Sequence, residues 1–346
     1  MKLTKTRVAL AAAVAMSGLY AGGANAETIL RMNNWLPPGH SQRVNVMEPW
    51  AKMVEEATEG RVKVQLSAAS LGAPPRQYDL AADGITDVAF GVHGYTPGRF
   101  KLSAVAELPF IAEKAETLSV ALWRTHKTFF EQVNEYKDVV LLSVWTHGSG
   151  RILTSEAAGP VTSLDTYNGK KIRVGGGIAQ KVNQALGGVD VAAPANQVYE
   201  LLSQGVVDGA LLPIEAYPPF KLTGVIKYAT EIPGGFYTSP WFAVMNRDVF
   251  EKLSPEDQKA LMSVSGEALA RLGGQAFDKG DNTAETMMKA DGVELIVADD
   301  TFVASIKDTI GVFENDWIKE ADSLNVNGAA ALEMMRSEAK AYKPAY

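Results

Sequence analysis

Apolar residues alternate along the chain between short continuous runs and longer stretches with helical spacing. Runs such as 139–145 and 172–174 are typical of strands inside a parallel sheet. Residues 40–60 have helical spacing, and Pro49 predicts that the regular helix begins near it. A Ser-Pro pair opens a long helical stretch at 254–290. Further helices are predicted at 113–135, 300–324 and 329–342. This alternation of strands and helices predicts an α/β fold.

The first 26 residues have the composition of a secretory signal peptide. Three basic residues precede an apolar run at 8–16, and Ala-Asn-Ala at 24–26 forms a small-x-small cleavage site. The run is too short and too rich in alanine and glycine to span a bilayer, although an uncleaved membrane anchor is the alternative. We expect cleavage after Ala26 and export to the periplasm.

Cysteine is absent from the chain, and acidic residues outnumber basic ones. Without cysteine, disulfides, thiol catalysis and zinc–thiolate sites are excluded. The chain carries 33 Lys and Arg against 40 Asp and Glu, for a net charge of -7. Loss of the leader's three basic residues leaves 30 against 40, or -10, which argues against a nucleic-acid partner. An acidic protein that binds an anion needs a local cationic site.

A repeated unit suggests two lobes of similar build. Residues 80–89 and 201–210 each predict a helix, a glycine stop, an aspartate and a buried strand. Such turns are common in α/β proteins, so the repeat alone leaves the question open. Removal of 26 residues from 346 leaves 320, a length that also favours two domains.

No recognised catalytic signature occurs in the sequence. Metalloprotease, nucleophile-elbow, Walker and EF-hand motifs are all missing. We therefore expect no catalytic residue, no metal and no cofactor, with a periplasmic hydrolase as the alternative of another class. His93 and His147 follow predicted strands, where the ligand clefts of α/β proteins lie. A solvated loop position is the competing interpretation for each histidine.

Two arginines occupy junctions between a strand and glycines. Arg173 lies on the strand 172–174, directly before the three glycines at 175–177, which we interpret as a flexible turn. Arg151 follows the segment 145–150, which ends in glycines. A guanidinium presents a planar fork of donors that matches a carboxylate, so both arginines are candidates for holding a small anion. A solvated surface charge is the alternative for either one.

Aromatic residues accompany a predicted hinge. Residues 234–241 join predicted strands of different lobes and include Phe236, Tyr237 and Trp241. We interpret these three rings as possible contacts for the body of a ligand.

Short motifs follow one another in order along nearly the whole mature chain. They include Met32-Asn33 at the end of the first strand, Leu108-Pro109-Phe110, Gly169-Lys-Lys-Ile-Arg173-Val and Gly205-x-Val-Asp208-Gly209. Together they resemble the extracytoplasmic solute receptors of TRAP (tripartite ATP-independent periplasmic) transporters, the DctP-like family. The resemblance implies a two-lobed periplasmic binding protein fold. Each lobe would be a mixed, mainly parallel sheet flanked by helices, and a long helix would span both lobes.

The resemblance also implies boundaries and partners. Lobe I would comprise 27–148 and 238–277, lobe II would comprise 149–237 and 278–346, and the ligand cleft would lie between them. The expected ligand is a small organic carboxylate. The expected partners are TRAP permease subunits in the membrane, on which the receptor docks transiently.

Three site residues are carried over by the resemblance. Arg173 matches the signature arginine that grips the ligand carboxylate, Arg151 matches a second arginine that often assists, and Asn33 matches a polar residue at the cleft floor. Each of these roles is an expectation from the family.

The chain departs from the better-known family members at positions that would face the ligand. Leu212 replaces a frequent asparagine, Ala195 replaces an aromatic wall, and Val92, beside His93, replaces an acidic or polar residue. These exchanges remove polar partners, and unpaired polar groups on a ligand would cost a few kcal/mol there. We expect an aromatic or otherwise apolar-bodied monocarboxylate. A C4-dicarboxylate or 2-oxo acid is the alternative.

Overall fold

The computed structural model describes residues 27–344, which form two β-sheets covered by helices. The predicted signal peptide and its cleavage site lie outside the described residues. The strands are β1 (Thr28–Met32), β2 (Val62–Leu66), β3 (Val88–Val92), β4 (Val139–Thr146), β5 (Arg151–Thr154), β6 (Lys171–Val174), β7 (Val189–Ala192), β8 (Gly209–Leu212), β9 (Tyr228–Glu231), β10 (Pro240–Asn246) and β11 (Glu294–Val297).

The helices alternate with these strands, as the sequence pattern predicts. They are α1 (Glu48–Ala57), α2 (Gln77–Ala82), α3 (Ala115–Thr125), α4 (Leu164–Tyr167), α5 (Gly177–Ala185), α6 (Val198–Ser203), α7 (Arg247–Lys252), α8 (Pro255–Ser263), α9 (Gly266–Ala290), α10 (Asp300–Ile310), α11 (Val312–Ser323) and α12 (Gly328–Ala341). No helix within residues 27–344 combines the length and apolar character needed to cross a bilayer.

The first sheet has the strand order β2-β1-β3-β10-β4. Strand β1 is parallel to β2 and β3, whereas β10 lies antiparallel between β3 and β4. Strand β10 reaches this sheet from the second sheet, since β5 to β9 precede it in the chain.

The second sheet has the strand order β11-β9-β5-β8-β6-β7. Parallel pairs predominate, and only β5, which arrives from the first sheet, is antiparallel to its neighbours β8 and β9. Arg173 on β6 pairs with Ala210 on β8, so the carboxyl ends of these two parallel strands lie together. Ligand clefts of α/β sheets lie at such carboxyl ends.

Two segments cross between the sheets side by side. Residues 147–150 link β4 to β5, and residues 232–239 link β9 to β10. The N–H of Gly150 donates to the carbonyl oxygen of Tyr237 at 2.8 Å, and the N–H of Phe236 donates to Oγ of Ser149 at 2.9 Å. Residues 234–239 of the predicted hinge therefore belong to a hydrogen-bonded pair of crossing segments, and residues 240 and 241 begin β10.

Helix α9 is the long helix that spans both halves of the molecule. Its Asp278 accepts from the N–H groups of Ala115 and Glu116 at 2.9 and 3.0 Å, which caps α3 beside the first sheet. Three residues later, Asp281 accepts from the N–H of Glu215 at 3.0 Å, in the turn that follows β8 of the second sheet. The two-lobed α/β fold with a spanning helix is confirmed.

Helix boundaries differ from the sequence prediction where local geometry interrupts the α-helix. Residues 43–47 form a wider π-helical turn, and α1 begins at Glu48, so Pro49 lies in the first turn, where its missing N–H is tolerated. The predicted helix at 113–135 ends its regular part at Thr125 and continues as a π-helical turn. The stretch at 254–290 divides into α8 and α9, and the stretch at 300–324 divides at Gly311.

The C-terminal helix lies beside the first sheet. Helix α12, expected in lobe II, packs against α3, and Nη1 of Arg124 is 2.7 Å from Oε2 of Glu338. Helix α3 in turn packs on β4. The lobe boundaries as a whole stay a prediction.

Candidate functional site

A small cavity lies where the ends of β3, β6, β8 and β10 meet between the two sheets. Its walls carry one arginine, two histidines, one glutamate and an aromatic cluster. The lining residues are His40, Val92, Tyr95, His147, Arg173, Gly175, Ala195, Leu211, Leu212, Pro213, Glu215, Ala216, Phe220, Tyr237, Ser239, Trp241 and Phe277. The cavity measures about 40 Å³. A cavity known to hold benzene measures about 150 Å³, so a ring-sized ligand requires the walls to move apart.

Arg173 is the cation of this cavity and is 2 % exposed. Its Nε donates to the carbonyl oxygen of Ala193 at 2.8 Å, and its Nη1 donates to that of Leu211 at 3.2 Å. Its Nη2 is 3.5 Å from the hydroxyl of Tyr95. Among residues 27–344, no carboxylate lies within salt-bridge distance of this guanidinium. A buried cation held by neutral groups, with donors to spare, is suited to an anionic ligand.

Tyr95 brings the first sheet into contact with this arginine. It lies three residues beyond the end of β3, and its hydroxyl accepts from the N–H of Ala195 at 2.9 Å. The same hydroxyl faces Nη2 of Arg173. Since Arg173 and Ala195 belong to the second half of the molecule, this side chain links the two sheets across the cavity.

The glycines after Arg173 permit a close approach between the segments that follow β6 and β3. Gly176 has a φ of +88°, and a Cβ there would meet the carbonyl oxygen of Gly94, which follows β3. Only glycine combines this backbone conformation with such a contact. The predicted flexible turn is thus a backbone-to-backbone junction beside the cavity.

Aromatic rings form the apolar wall. Trp241 stacks on Trp35 with ring centroids 5.6 Å apart, and Phe277 meets Trp241 edge-on at 5.6 Å. Tyr237 is buried, and its hydroxyl has no hydrogen-bond partner among the described residues. Burial raises the pKa of Tyr237, so the hydroxyl keeps its proton and can donate to a bound anion.

Two histidines and a glutamate complete the lining and are neutral at pH 7. Burial lowers the pKa of His40 to about 3 and that of His147 to about 4. Burial, together with the nearby Asp281, raises the pKa of Glu215 to about 8. A single positive charge therefore dominates the cavity at neutral pH.

Arg151 lies outside this cavity. Its Nη2 is 2.6 Å from Oε2 of Glu231, and it lines a separate pocket with other acidic side chains, among them Asp278, Asp281 and Glu285. Strand pairing explains the difference, because β5 lies beside β9 and brings the arginine next to Glu231. The structure does not bring Arg151 to Arg173.

Three other predicted residues are buried but do not line the cavity. Asn33 donates to Oε1 of Gln77 at 2.7 Å and accepts from the N–H of Leu71 at 2.8 Å, which satisfies its amide within the first half. Nε2 of His93 is 2.6 Å from the hydroxyl of Tyr136. Phe236 packs against Tyr237, with ring centroids 5.5 Å apart.

The remaining predicted residues do line the cavity, as do the positions where the chain departs from the family pattern. Arg173, Leu212, Tyr237 and Trp241 are all found there, and so are Val92 and Ala195. Within the described part of the chain, no group of three or more histidines or acids is arranged to hold a metal ion.

Sequence reasoning missed Tyr95, His40 and Glu215. Tyr95 lies two residues from His93, which was chosen instead from the same turn. Glu215 stood out as a single acid in the apolar stretch 210–217, a signal that could have been used. His40 comes close to Glu215 only through tertiary packing, and no local pattern marks it.

Glu107 forms another contact between the halves, close to the glycine turn. It is buried in a turn that packs against α3 and β10, and its Oε2 accepts from the N–H of Ile178 at 2.6 Å, at the start of α5. Burial raises the pKa of Glu107 from 4.5 to about 7, against the opposing effect of its backbone hydrogen bonds. The folded protein therefore holds a proton that the unfolded chain releases at a lower pH.

Stability is expected to depend on pH through Glu107. Because the pKa of Glu107 is raised in the folded protein, its contribution to the unfolding free energy is complete below about pH 4.5. That contribution is lost as the pH rises to about 7. Glu107→Gln cannot ionise. As the pH rises from 4.5 to 8, its unfolding free energy should therefore increase by about 2–4 kcal/mol relative to that of wild type. Denaturant unfolding of both proteins across this range measures the difference. Parallel pH profiles would show that Glu107 is not protonated in the folded state.

Comparison with known proteins shows the protein family of this chain. The profile of the DctP family, described as bacterial extracellular solute-binding protein, family 7, matches residues 32–312. The chain therefore belongs to this family. A curated relative from Comamonas testosteroni, named outer membrane transporter protein TsaT, is 32% identical over 342 residues, which span 97% of this chain and 98% of that protein.

Two solved structures narrow the class to TRAP receptors. A TRAP periplasmic solute binding protein from Bordetella bronchiseptica, with bound (R)- and (S)-mandelate, has a TM-score of 0.88 and 38% identity, covering 90% of this chain and 99% of that one. A marine metagenome TRAP solute binding protein described as specific for aromatic acid ligands, in complex with 3-hydroxybenzoate, has a TM-score of 0.85 and 31% identity, covering 92% and 99%. The chain is a solute-binding receptor of the TRAP type, and its family and solved relatives are receptors rather than enzymes.

Proposed function

We propose that this receptor captures an aromatic or otherwise apolar-bodied monocarboxylate in the periplasm and delivers it to a TRAP permease. The supporting observation is Arg173, a buried guanidinium without a carboxylate partner among residues 27–344, beside the rings of Tyr237, Trp241 and Phe277. The ligand carboxylate would lie on Arg173 and the Tyr237 hydroxyl, and its apolar body would lie against the rings. Mandelate and 3-hydroxybenzoate, bound by the two solved relatives, have this chemistry.

Export and docking belong to the same proposal. The leader would be cleaved after Ala26, and the mature receptor would touch the membrane only through transient contact with the permease. The small cavity implies that the lobes open to admit a ring and close around it, with the paired crossing segments 147–150 and 232–239 as hinges. A ligand favours the closed form only if it contacts both halves.

Thermal unfolding of the leaderless protein tests the ligand class. Benzoate at 100 times its dissociation constant should stabilise the fold by about 2.7 kcal/mol. Succinate and 2-oxoglutarate, the aliphatic alternatives, should give no comparable shift. Stabilisation by the aliphatic acids without any effect of benzoate or mandelate would contradict the aromatic assignment. Mass spectrometry of the denatured protein identifies any acid that co-purifies and masks the shift.

A further inference from the structure

Glu215 and His40 form a second polar feature of the cavity, in addition to Arg173. Glu215 lies in the turn Ile214–Ala216, directly beyond β8, and is 4 % exposed. Its Oε2 accepts from Oγ of Ser41 at 2.9 Å. Its Oε1 is 3.6 Å from Nε2 of His40, which is beyond hydrogen-bond distance.

The two side chains are held in place from opposite sides. The N–H of Glu215 donates to Asp281 of α9 at 3.0 Å, and Gly280 leaves room for its Cβ. Nδ1 of His40 accepts from the N–H of Gln42 at 3.2 Å, and the ring packs edge-on against Phe220. Since Nδ1 is an acceptor, the neutral ring carries its proton on Nε2, facing Glu215.

This arrangement leaves Nε2–H of His40 as a donor and Oε1 of Glu215 as an acceptor side by side, 3.6 Å apart, on two residues that line the cavity. A hydroxyl oxygen can accept from Nε2–H of His40 while its proton goes to Oε1 of Glu215. A methyl group in the same place would leave both buried groups unpaired. A second carboxylate there would be a buried charge without a cationic partner, because none of the Lys or Arg residues described lies within salt-bridge distance of Glu215.

We propose that His40 and Glu215 select acids that carry a neutral hydroxyl group on the apolar body, and that they disfavour dicarboxylates. This inference rests on the proposed function and specifies the ligand class for the same cavity. Arg173 binds the carboxylate, and the His40–Glu215 pair forms hydrogen bonds with the hydroxyl group on the apolar body. The raised pKa of Glu215 supports the pairing, since a protonated carboxyl group both donates to and accepts from a hydroxyl.

A ligand series of matched size tests this in the wild-type receptor. Calorimetry compares benzoate with its hydroxy, methyl and second-carboxylate derivatives, each at ring positions 3 and 4. For the better position, the hydroxy acid should bind at least about tenfold more tightly than the methyl acid, since the methyl acid leaves buried polar groups unpaired. The dicarboxylate should bind more weakly than both.

Two variants of Glu215 test its hydrogen bond to the ligand hydroxyl. Glu215→Gln keeps an acceptor for the hydroxyl and is neutral like the protonated acid, so it should retain both the preference for the hydroxy acid and the discrimination against the dicarboxylate. Glu215→Leu should lose the hydroxyl preference while still binding benzoate. Glu135→Gln is the matched control, because that largely buried acid accepts from the N–H of Lys101 away from the cavity, and it should leave all the ratios unchanged.

The possible outcomes distinguish this inference from the proposed function. Wild-type binding of benzoate with equal affinity for the hydroxy and methyl acids overturns the role of His40 and Glu215 alone. An unchanged preference in folded Glu215→Leu does the same. No binding of any aromatic acid overturns the proposed function and this inference with it. The wild-type series is decisive even if Glu215→Leu does not fold.

Discussion

Replacement of Arg173 by alanine should weaken benzoate binding by about 2–5 kcal/mol, the usual cost of truncating one partner of a buried, charge-assisted hydrogen bond. The guanidinium is buried and held by the carbonyl oxygens of Ala193 and Leu211. It therefore needs little reordering when an anion binds. Without it, a carboxylate would enter a cavity that retains no positive charge at neutral pH, and calorimetry measures the loss.

Two further arginine variants test the same prediction. Arg173→Lys keeps the charge but loses the planar fork, so it should recover only part of the affinity. Arg151→Ala should stay within about threefold of wild type, because Arg151 is paired with Glu231 and lines another pocket, so it does not contact a ligand held at Arg173. Full affinity in Arg173→Ala would remove the arginine from the site. An equal loss in Arg151→Ala would favour the assisting role implied by the family resemblance.

Gly176→Ala should also impair binding strongly, although no ligand contact is removed. The residue has a φ of +88°, and a methyl group there would overlap the carbonyl oxygen of Gly94. Backbone strain of this kind costs about 1–3 kcal/mol. The overlap adds a penalty that applies only when the two halves are in contact, so closure over the ligand should become less favourable.

Gly205→Ala is the matched control for that effect. Gly205 also has a positive φ, +67°, but a Cβ there would meet no atom within 4 Å. We expect Gly205→Ala to lower the unfolding free energy while its benzoate affinity stays close to that of wild type. Gly176→Ala should lower both the unfolding free energy and the benzoate affinity. Equal affinities for the two variants would argue against a role of the glycine turn in closure.

The fold was largely predictable because its determinants are local. Continuous apolar runs marked β4 and β6, and the Ser-Pro pair marked the start of α8. Arg173 was predictable for the same reason, since an arginine inside an apolar strand that runs into glycines is visible in the sequence.

The rest of the cavity depends on contacts between distant segments. Arg151 has the same local setting as Arg173, but the pairing of β5 with β9 supplies Glu231 as its partner. Asn33 and Nε2 of His93 are held by hydrogen bonds to Gln77 and Tyr136, which come from other elements. Glu215 meets His40 across 175 positions of sequence, and no spacing rule connects them.

A crystal structure of the leaderless receptor with benzoate tests the central claim most directly. We predict both carboxylate oxygens within hydrogen-bond distance of the Arg173 guanidinium and the Tyr237 hydroxyl, and the ring against Trp241 and Phe277. A carboxylate bound instead at Arg151, or a ring outside the cavity between the two sheets, would contradict the account.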